Sequence, residues 1–369
     1  MRWIFVFVVA VHGAVHGIGF AKAFGLADLQ QLTQPISRLM GVLWLLAGLS
    51  TLASLLALFV WPLGWWMIGA AALLLSQLAI ASAWRDAKLG TLGNIVLLIG
   101  VAYGYLTQGP SSFRAELARD TAAGLARPLD APRLTEADLA PLPAPVQRYI
   151  RATGFVGQPR VRSYRLRFRG RIRSDAAAAW MPFVAEQQSF VDRPTRLFLM
   201  GATMSGVPVQ AFHRLVDGAA TMRVTVAGVY PMVDARGPIM DRSETVTLFN
   251  DMCILAPGTM VEQAIRWEAI DDRSVRAHFT NGAHTITATL LFDARGLLRD
   301  FRSDDRSRAS PDGKTFTKPP FSTPVRDYQR FGPYRIARHG DARVHPPEGA
   351  FTYGEFDLLE IAYNVNAAR

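Results

Sequence analysis

A chain of 369 residues, half of them hydrophobic, with a formal net charge of +10 and a mean hydropathy of +0.14, is longer than most single domains and too apolar for a wholly soluble protein. Cys253 is the single cysteine, which excludes an intramolecular disulfide and any CxxC metal or redox site. Lysine occurs only at Lys22, Lys88, Lys314 and Lys318, so the basic charge is nearly all arginine, a bias that a GC-rich genome alone produces, and the charge by itself does not point to nucleic acid.

Four hydrophobic segments fill the first third: Trp3 to Phe24, Leu39 to Val60, Leu63 to Trp84 and Leu89 to Leu106. A bilayer span needs about 20 apolar residues, and each segment comes close to that. Trp3, Trp61, Trp65, Trp66 and Trp84 stand where interfacial aromatic belts belong. The positive-inside rule puts the loops carrying Lys22 with Arg38 and Arg85 with Lys88 in the cytoplasm, hence both chain termini outside, although Arg2, Arg114 and Arg119 pull the other way. Ala21-Lys22-Ala23 resembles a signal-peptide cleavage site, but the apolar run before it is longer than an ordinary h-region, so the segment reads as a span; cleavage would leave three spans and a cytoplasmic soluble domain.

Within the first span, His12 and His16 share a helix face, a spacing that can hold a metal or face haem. No further His, Cys or carboxylate in the spans completes a shell, so the rings read as interhelical hydrogen-bonding groups, with Gln77 and Asn94 as partners and Gly13 and Gly17 permitting close packing. The expectation is no metal and no cofactor.

Gly109-Pro110 ends the last span, Ser112 is placed to cap an amphipathic helix through Leu125, and prolines between Pro128 and Pro145 mark a linker. A second helix runs from Pro145 to Ala152, stopped by Gly154. This gives a four-helix transmembrane domain at 1–108, a linker at 109–142 and a β-rich soluble domain at 143–369.

The soluble domain opens on VRSYRLRFRGRIR, Val161 to Arg173. With period two, Tyr164, Leu166, Phe168 and Ile172 fall on one face, and Arg165, Arg167, Arg169, Arg171 and Arg173 on the other. The apolar face needs a core; the basic face suits solvent or lipid phosphates. Further strands are expected at Met181 to Asp192, Arg196 to Met200, Gln210 to Leu215, Thr221 to Ala227, Ile265 to Ile270, Leu297 to Asp304, Val325 to Phe331, Tyr334 to His339 and Gly354 to Tyr363. Asn281-Gly282 predicts a two-residue hairpin in which Phe279 faces His284 and His278 faces Thr285. Asp241 to Gln263 is the helical interruption, with capping boxes expected at Asp241/Glu244 and Thr259/Glu262. Strands in succession without alternating helices give an α+β class: a large curved antiparallel sheet with a few covering helices.

The segments Leu142-Pro143-Ala144-Pro145-Val146-Gln147-Arg148-Tyr149 and Glu244 to Cys253, with Lys22-Ala23-Phe24-Gly25 and Gln34-Pro35-Ile36-Ser37, resemble an uncharacterised bacterial family with this soluble domain, sometimes preceded by membrane spans. The runs Phe292 to Arg302, Thr323 to Phe331 and Phe351 to Tyr363 resemble the curved half-barrel of LolA- and LppX-type lipid carriers. The first resemblance implies no activity; the second implies acyl chains held between a concave sheet and its helices, without catalytic residues.

No nucleophile elbow, Walker A loop, dinucleotide fingerprint, zinc-protease or calcium-loop motif occurs. Glu244 and Asp251, seven residues apart, share a helix face and with His213 are the candidate acid-base groups. Capping and pairing with arginine is their simpler role. The expected function is a non-catalytic, membrane-anchored binding module for a lipid or other apolar ligand at the bacterial envelope, in the cytoplasmic membrane with the soluble domain outside. Tyr164, Leu166, Phe168, Phe249, Met252, Phe279 and Leu290 are the expected pocket, and Arg165, Arg167 and Arg169 the headgroup-facing residues. The bilayer is the expected partner, nucleic acid is not, and protein partners are not indicated. An enzyme acting on an envelope substrate through Glu244, Asp251 or His213, or a structural scaffold, are the alternatives.

Overall fold

The computed structural model describes residues 2–29, 32–127, 130–310 and 314–365. The chain forms two compact units, Met1–Glu116 and Leu117–Arg369.

The first unit contains α1 (Arg2–Ala23), α2 (Arg38–Val60), α3 (Trp65–Ser82), the short α4 (Trp84–Ala87) and α5 (Thr91–Gln108). Four helical stretches are long and apolar enough to cross a membrane: α1, α2, α3 and the run from Trp84 that includes α5. Their outward residues are large and apolar: Leu39, Leu56, Leu74 and Leu92 are all more than 60% exposed. That surface suits lipid and not water. Inside the bundle small residues bring the helices together, as where a side chain at Gly48 would meet the Gly13 carbonyl at 2.8 Å. His12 Nε2 donates to Asn94 Oδ1 at 2.9 Å and lies 3.1 Å from Ser76 Oγ, while Asn94 Nδ2 donates to Gln77 Oε1 at 2.9 Å. His16 Nδ1 turns to the His12 carbonyl at 2.9 Å. His12 is thus an interhelical hydrogen-bonding group, whereas His16 bonds within α1, and no group of three His, Cys, Asp or Glu among the described residues could hold a metal. Trp65 differs from expectation. It is buried edge-on against Phe5 within the bundle and not on its outer surface.

The second unit receives the chain through α6 (Phe113–Leu125), whose first amides include Ala115 N donating to Ser112 Oγ, as the cap predicts. α7 (Glu136–Leu139) and α8 (Ala144–Ala152) follow. The Pro-rich stretch before α8 is more than a tether, since Leu134 and Leu139 are buried in the core.

The strands are β1 (Ser163–Ile172), β2 (Met181–Phe190), β3 (Thr195–Met204), β4 (Val207–Val216), β5 (Ala219–Val226), β6 (Tyr230–Arg236), β7 (Ile265–Asp271), β8 (Ser274–Asn281), β9 (His284–Phe292), β10 (Leu298–Ser303), β11 (Arg308–Ala309), β12 (Phe316–Thr317), β13 (Phe321–Phe331), β14 (Tyr334–Val344) and β15 (Phe351–Tyr363). Thirteen of them form one sheet in the order β6-β5-β4-β3-β2-β1-β15-β14-β13-β10-β9-β8-β7, and β11 pairs with β12 apart. Every pairing is antiparallel. β1 to β6 meander outward on one side, β7 to β10 with β13 and β14 fill the other, and β15 returns to pair with β1.

Between β6 and β7 runs α9 (Pro238–Leu255). It packs on β5 and β6, on β14 and on β9 and β10, strands far apart in the sheet order. One helix reaches all of them only if the sheet curls around it. Phe249 on α9 stacks on Phe279 at 4.9 Å and meets Phe301 edge-on at 5.8 Å. The carbonyls left open in its last turn are satisfied from outside: Tyr149 of α8 donates to Cys253 O at 3.0 Å and Tyr363 of β15 to Leu255 O.

Three local expectations are corrected. α9 starts at Pro238 behind Gly237 (φ 94°), earlier than Asp241, because a proline suits the first helical position; the Asp241 carboxylate instead accepts from Ala220 N at 2.6 Å. The segment at Thr259 is a 3-10 turn, Pro257–Val261, with the Thr259 hydroxyl donating back to Ala256 O at 2.8 Å. In the hairpin, Asn281 pairs with His284 and Phe279 with Ile286, so Gly282-Ala283 forms the loop. Gly282 (φ 58°) takes the first central position, as a II′ turn requires, whereas the expected loop would have needed positive φ at Asn281 as well. The slip is even in register, so the apolar and polar faces stay as expected. The strand β6 was not anticipated. It carries Pro231 and sits at the sheet edge, where proline costs no ladder bond.

Candidate ligand-binding site

Alternation along β1, β3, β13 and β15 gives the concave face its apolar residues, and one flank of α9 lies over them. A cavity of about 160 Å³ remains between the two. Phe168, Phe198, Met200, Phe321, Val325 and Phe356 form most of its apolar wall. Tyr164, Met252 and Phe279 line a second cavity, of about 390 Å³, beside Leu248 and Glu262 on another flank of α9.

A charged cluster closes one part of the first cavity. Glu244 and Asp251 stand two turns apart on α9, and Arg196 of β3 reaches both: Nε donates to Asp251 Oδ2 at 2.6 Å and Nη1 to Glu244 Oε2 at 3.3 Å. His213 Nδ1 on β4 donates to Glu244 Oε1 at 2.9 Å, and Gln187 Nε2 on β2 to Asp251 Oδ2 at 2.8 Å. Arg196, Glu244 and Asp251 are all buried, so each charge depends on the others for the hydration it has lost. Burial alone would raise the Glu244 carboxyl, but the charges of His213, Arg196 and Arg306 together with the His213 hydrogen bond outweigh it and hold the group at about 2. Glu244 is therefore ionised at neutral pH, a poor proton donor and a weak base. What it does is orient the His213 ring. Among the described residues no serine or cysteine lines the cavity beside that ring.

The other expected pocket residues separate. Phe168 lines the first cavity, Tyr164, Met252 and Phe279 line the second, and Leu166, Phe249 and Leu290 are fully buried core that lines neither. The arginine face of β1 meets a row of carboxylates on β15: Arg167 with Glu360 at 3.3 Å, Arg169 with Asp357 at 3.6 Å and Arg171 with Glu355 at 2.7 Å. Arg165 lies opposite Ala362 and Gln188 and has no ion pair among the described residues.

Arg196, Asn250 and Arg306 were not anticipated as site residues. Arg196 had a signal, because it alternates with Phe198 and Met200 and so places a charge on an apolar face. Asn250 and Arg306 had none, one within a helix and the other after a strand.

A helical domain of membrane-spanning length joined to a curved antiparallel sheet that wraps a helix and leaves apolar-walled cavities defines an α+β membrane-domain class. The sequence matches the family of unknown function DUF6544 over residues 132–356, and the chain belongs to that family. No curated protein matches it. Among solved structures, a domain from Vibrio parahaemolyticus described as an outer membrane lipoprotein-sorting protein aligns over 69% of this chain and 93% of its own, at 9% identity and a TM-score of 0.35. A DUF1329 family protein from Desulfovibrio piger aligns over 56% of this chain and 88% of its own, at 12% identity and a TM-score of 0.29.

Proposed function

We propose that this protein is a membrane-anchored, non-catalytic binding module that holds the apolar part of a lipid or similar ligand between α9 and the concave sheet. It works at the bacterial envelope, anchored in the cytoplasmic membrane with the β unit outside. The observation that carries this reading is the first cavity: apolar walls, with Arg196, His213, Glu244 and Asp251 beside them engaged with one another. A void of about 150 Å³ is what benzene fills, so the first cavity seats a chain segment and not a whole lipid. The second cavity offers further room on another flank of the helix.

Native mass spectrometry of the full-length protein released from micelles tests this. Adducts of long-chain mass are expected on the wild type and are expected to be lost in Ala337→Phe, which fills the first cavity wall. Equal adducts in both proteins, or none in the wild type, would remove the reading.

A further inference from the structure

The polar groups of the first cavity are not all committed. Arg306, in the segment after β10, lies over the Phe321 ring at 4.6 Å and beside Tyr353 at 5.8 Å, and its Nε donates to Thr247 Oγ1 at 3.4 Å. Among the described residues no carboxylate is within ion-pair distance of it. Its neighbour Asp305 is already taken by Arg242 at 2.8 Å and Lys318 at 3.2 Å. One turn along α9 from Thr247 stands Asn250, 7% exposed, whose Nδ2 is buried without a hydrogen-bond partner. Arg306, Thr247 and Asn250 all line the first cavity.

A buried donor left unmade is costly, and a guanidinium that stacks on aromatic rings while its outer N–H groups stay open is a fork for carboxylate or phosphate. Glu244 feels the Arg306 charge but makes no ion pair with it among the described residues, and Arg196 and His213 engage the oxygens of Glu244 and Asp251. We infer that the ligand is an anionic single-chain amphiphile, its carboxylate or phosphate head received by Arg306 and the Asn250 amide and its chain by the apolar wall. This rests on the binding-module reading and adds the chemistry of the head.

The test is photolabelling of the full-length protein in phosphatidylcholine nanodiscs with three sixteen-carbon probes, each carrying a mid-chain diazirine: a carboxylic acid, a phosphate monoester and an alcohol. Labelled peptides are read by mass spectrometry. Either anionic probe is expected to label the Thr247–Leu255 segment about tenfold more than the alcohol, the size of one lost charge-assisted hydrogen bond. Which anionic probe leads identifies the head. Arg306→Gln is expected to abolish the excess without changing alcohol labelling, and Arg306→Lys to keep part of it. An alcohol that labels as well as the anions overturns the inference without needing any variant, and so does an excess that survives in Arg306→Gln. Absence of cavity labelling by all three probes would instead overturn the binding-module reading beneath it.

Discussion

Arg196 is the residue on which the buried cluster depends. It is 6% exposed, and both its carboxylate partners come from α9. Removing it leaves the buried Asp251 carboxylate without its cation and Glu244 with His213 alone, so Arg196→Met is expected to cost about 3–5 kcal/mol in chemical denaturation. Adding Glu244→Gln and Asp251→Asn to that variant should recover part of the loss. The depressed Glu244 carboxyl gives a second expectation. Its native value, about 2, lies below the ordinary 4.5, so its contribution is complete above about pH 5 and disappears as pH falls towards 2, amounting to a few kcal/mol. Melting temperature against pH should fall through that window, and Glu244→Gln should flatten the slope. The seven-residue spacing of Glu244 and Asp251 was legible in the sequence. Their partner was not, because Arg196 is 48 and 55 residues away and only the fold brings it back.

At the scale of elements, faces were easier to read than partners. The alternation in β1 placed Tyr164 and Leu166 inside and the arginines outside, as the structure has them. The acidic row of β15 that meets those arginines was invisible, since pairing at a separation of 193 residues leaves no local trace. The hairpin shows the same limit, with its faces legible and its register decided by whether Asn281 or Gly282 takes the positive φ. Phe249 joins α9 to the sheet, and Phe249→Ala is expected to cost about 3–5 kcal/mol. Gly170 tests the seam between β1 and β15, because a Cβ there would collide with the Glu355 carbonyl. Gly170→Ala should therefore force the strands apart and lower stability by about 1–3 kcal/mol or more, visible as faster hydrogen exchange along both strands.

At the scale of the whole molecule, composition was enough to separate an apolar helical third from a β-rich remainder, because each depends on local period. The order of strands depends on which edges meet, and the sequence does not carry that. For the orientation proposed above, an alkaline phosphatase fusion after Gln108 is expected to be active; an inactive one, with an active cytoplasmic reporter at the same point, would place the β unit inside. Since β15 sits at the middle of the sheet, between β1 and β14, a chain stopped at Gly349 should lose cooperative unfolding, not merely one rim strand.

That central position also sets a timetable for biosynthesis. Arg167 and its partner Glu360 are 193 residues apart, and at about 5–20 residues per second the ribosome takes about 10–40 s to cover that distance. For that interval β1 is a finished strand with an open edge, and every meander made after it must wait beside a gap. The sheet of this protein is completed last at its centre rather than at its rim.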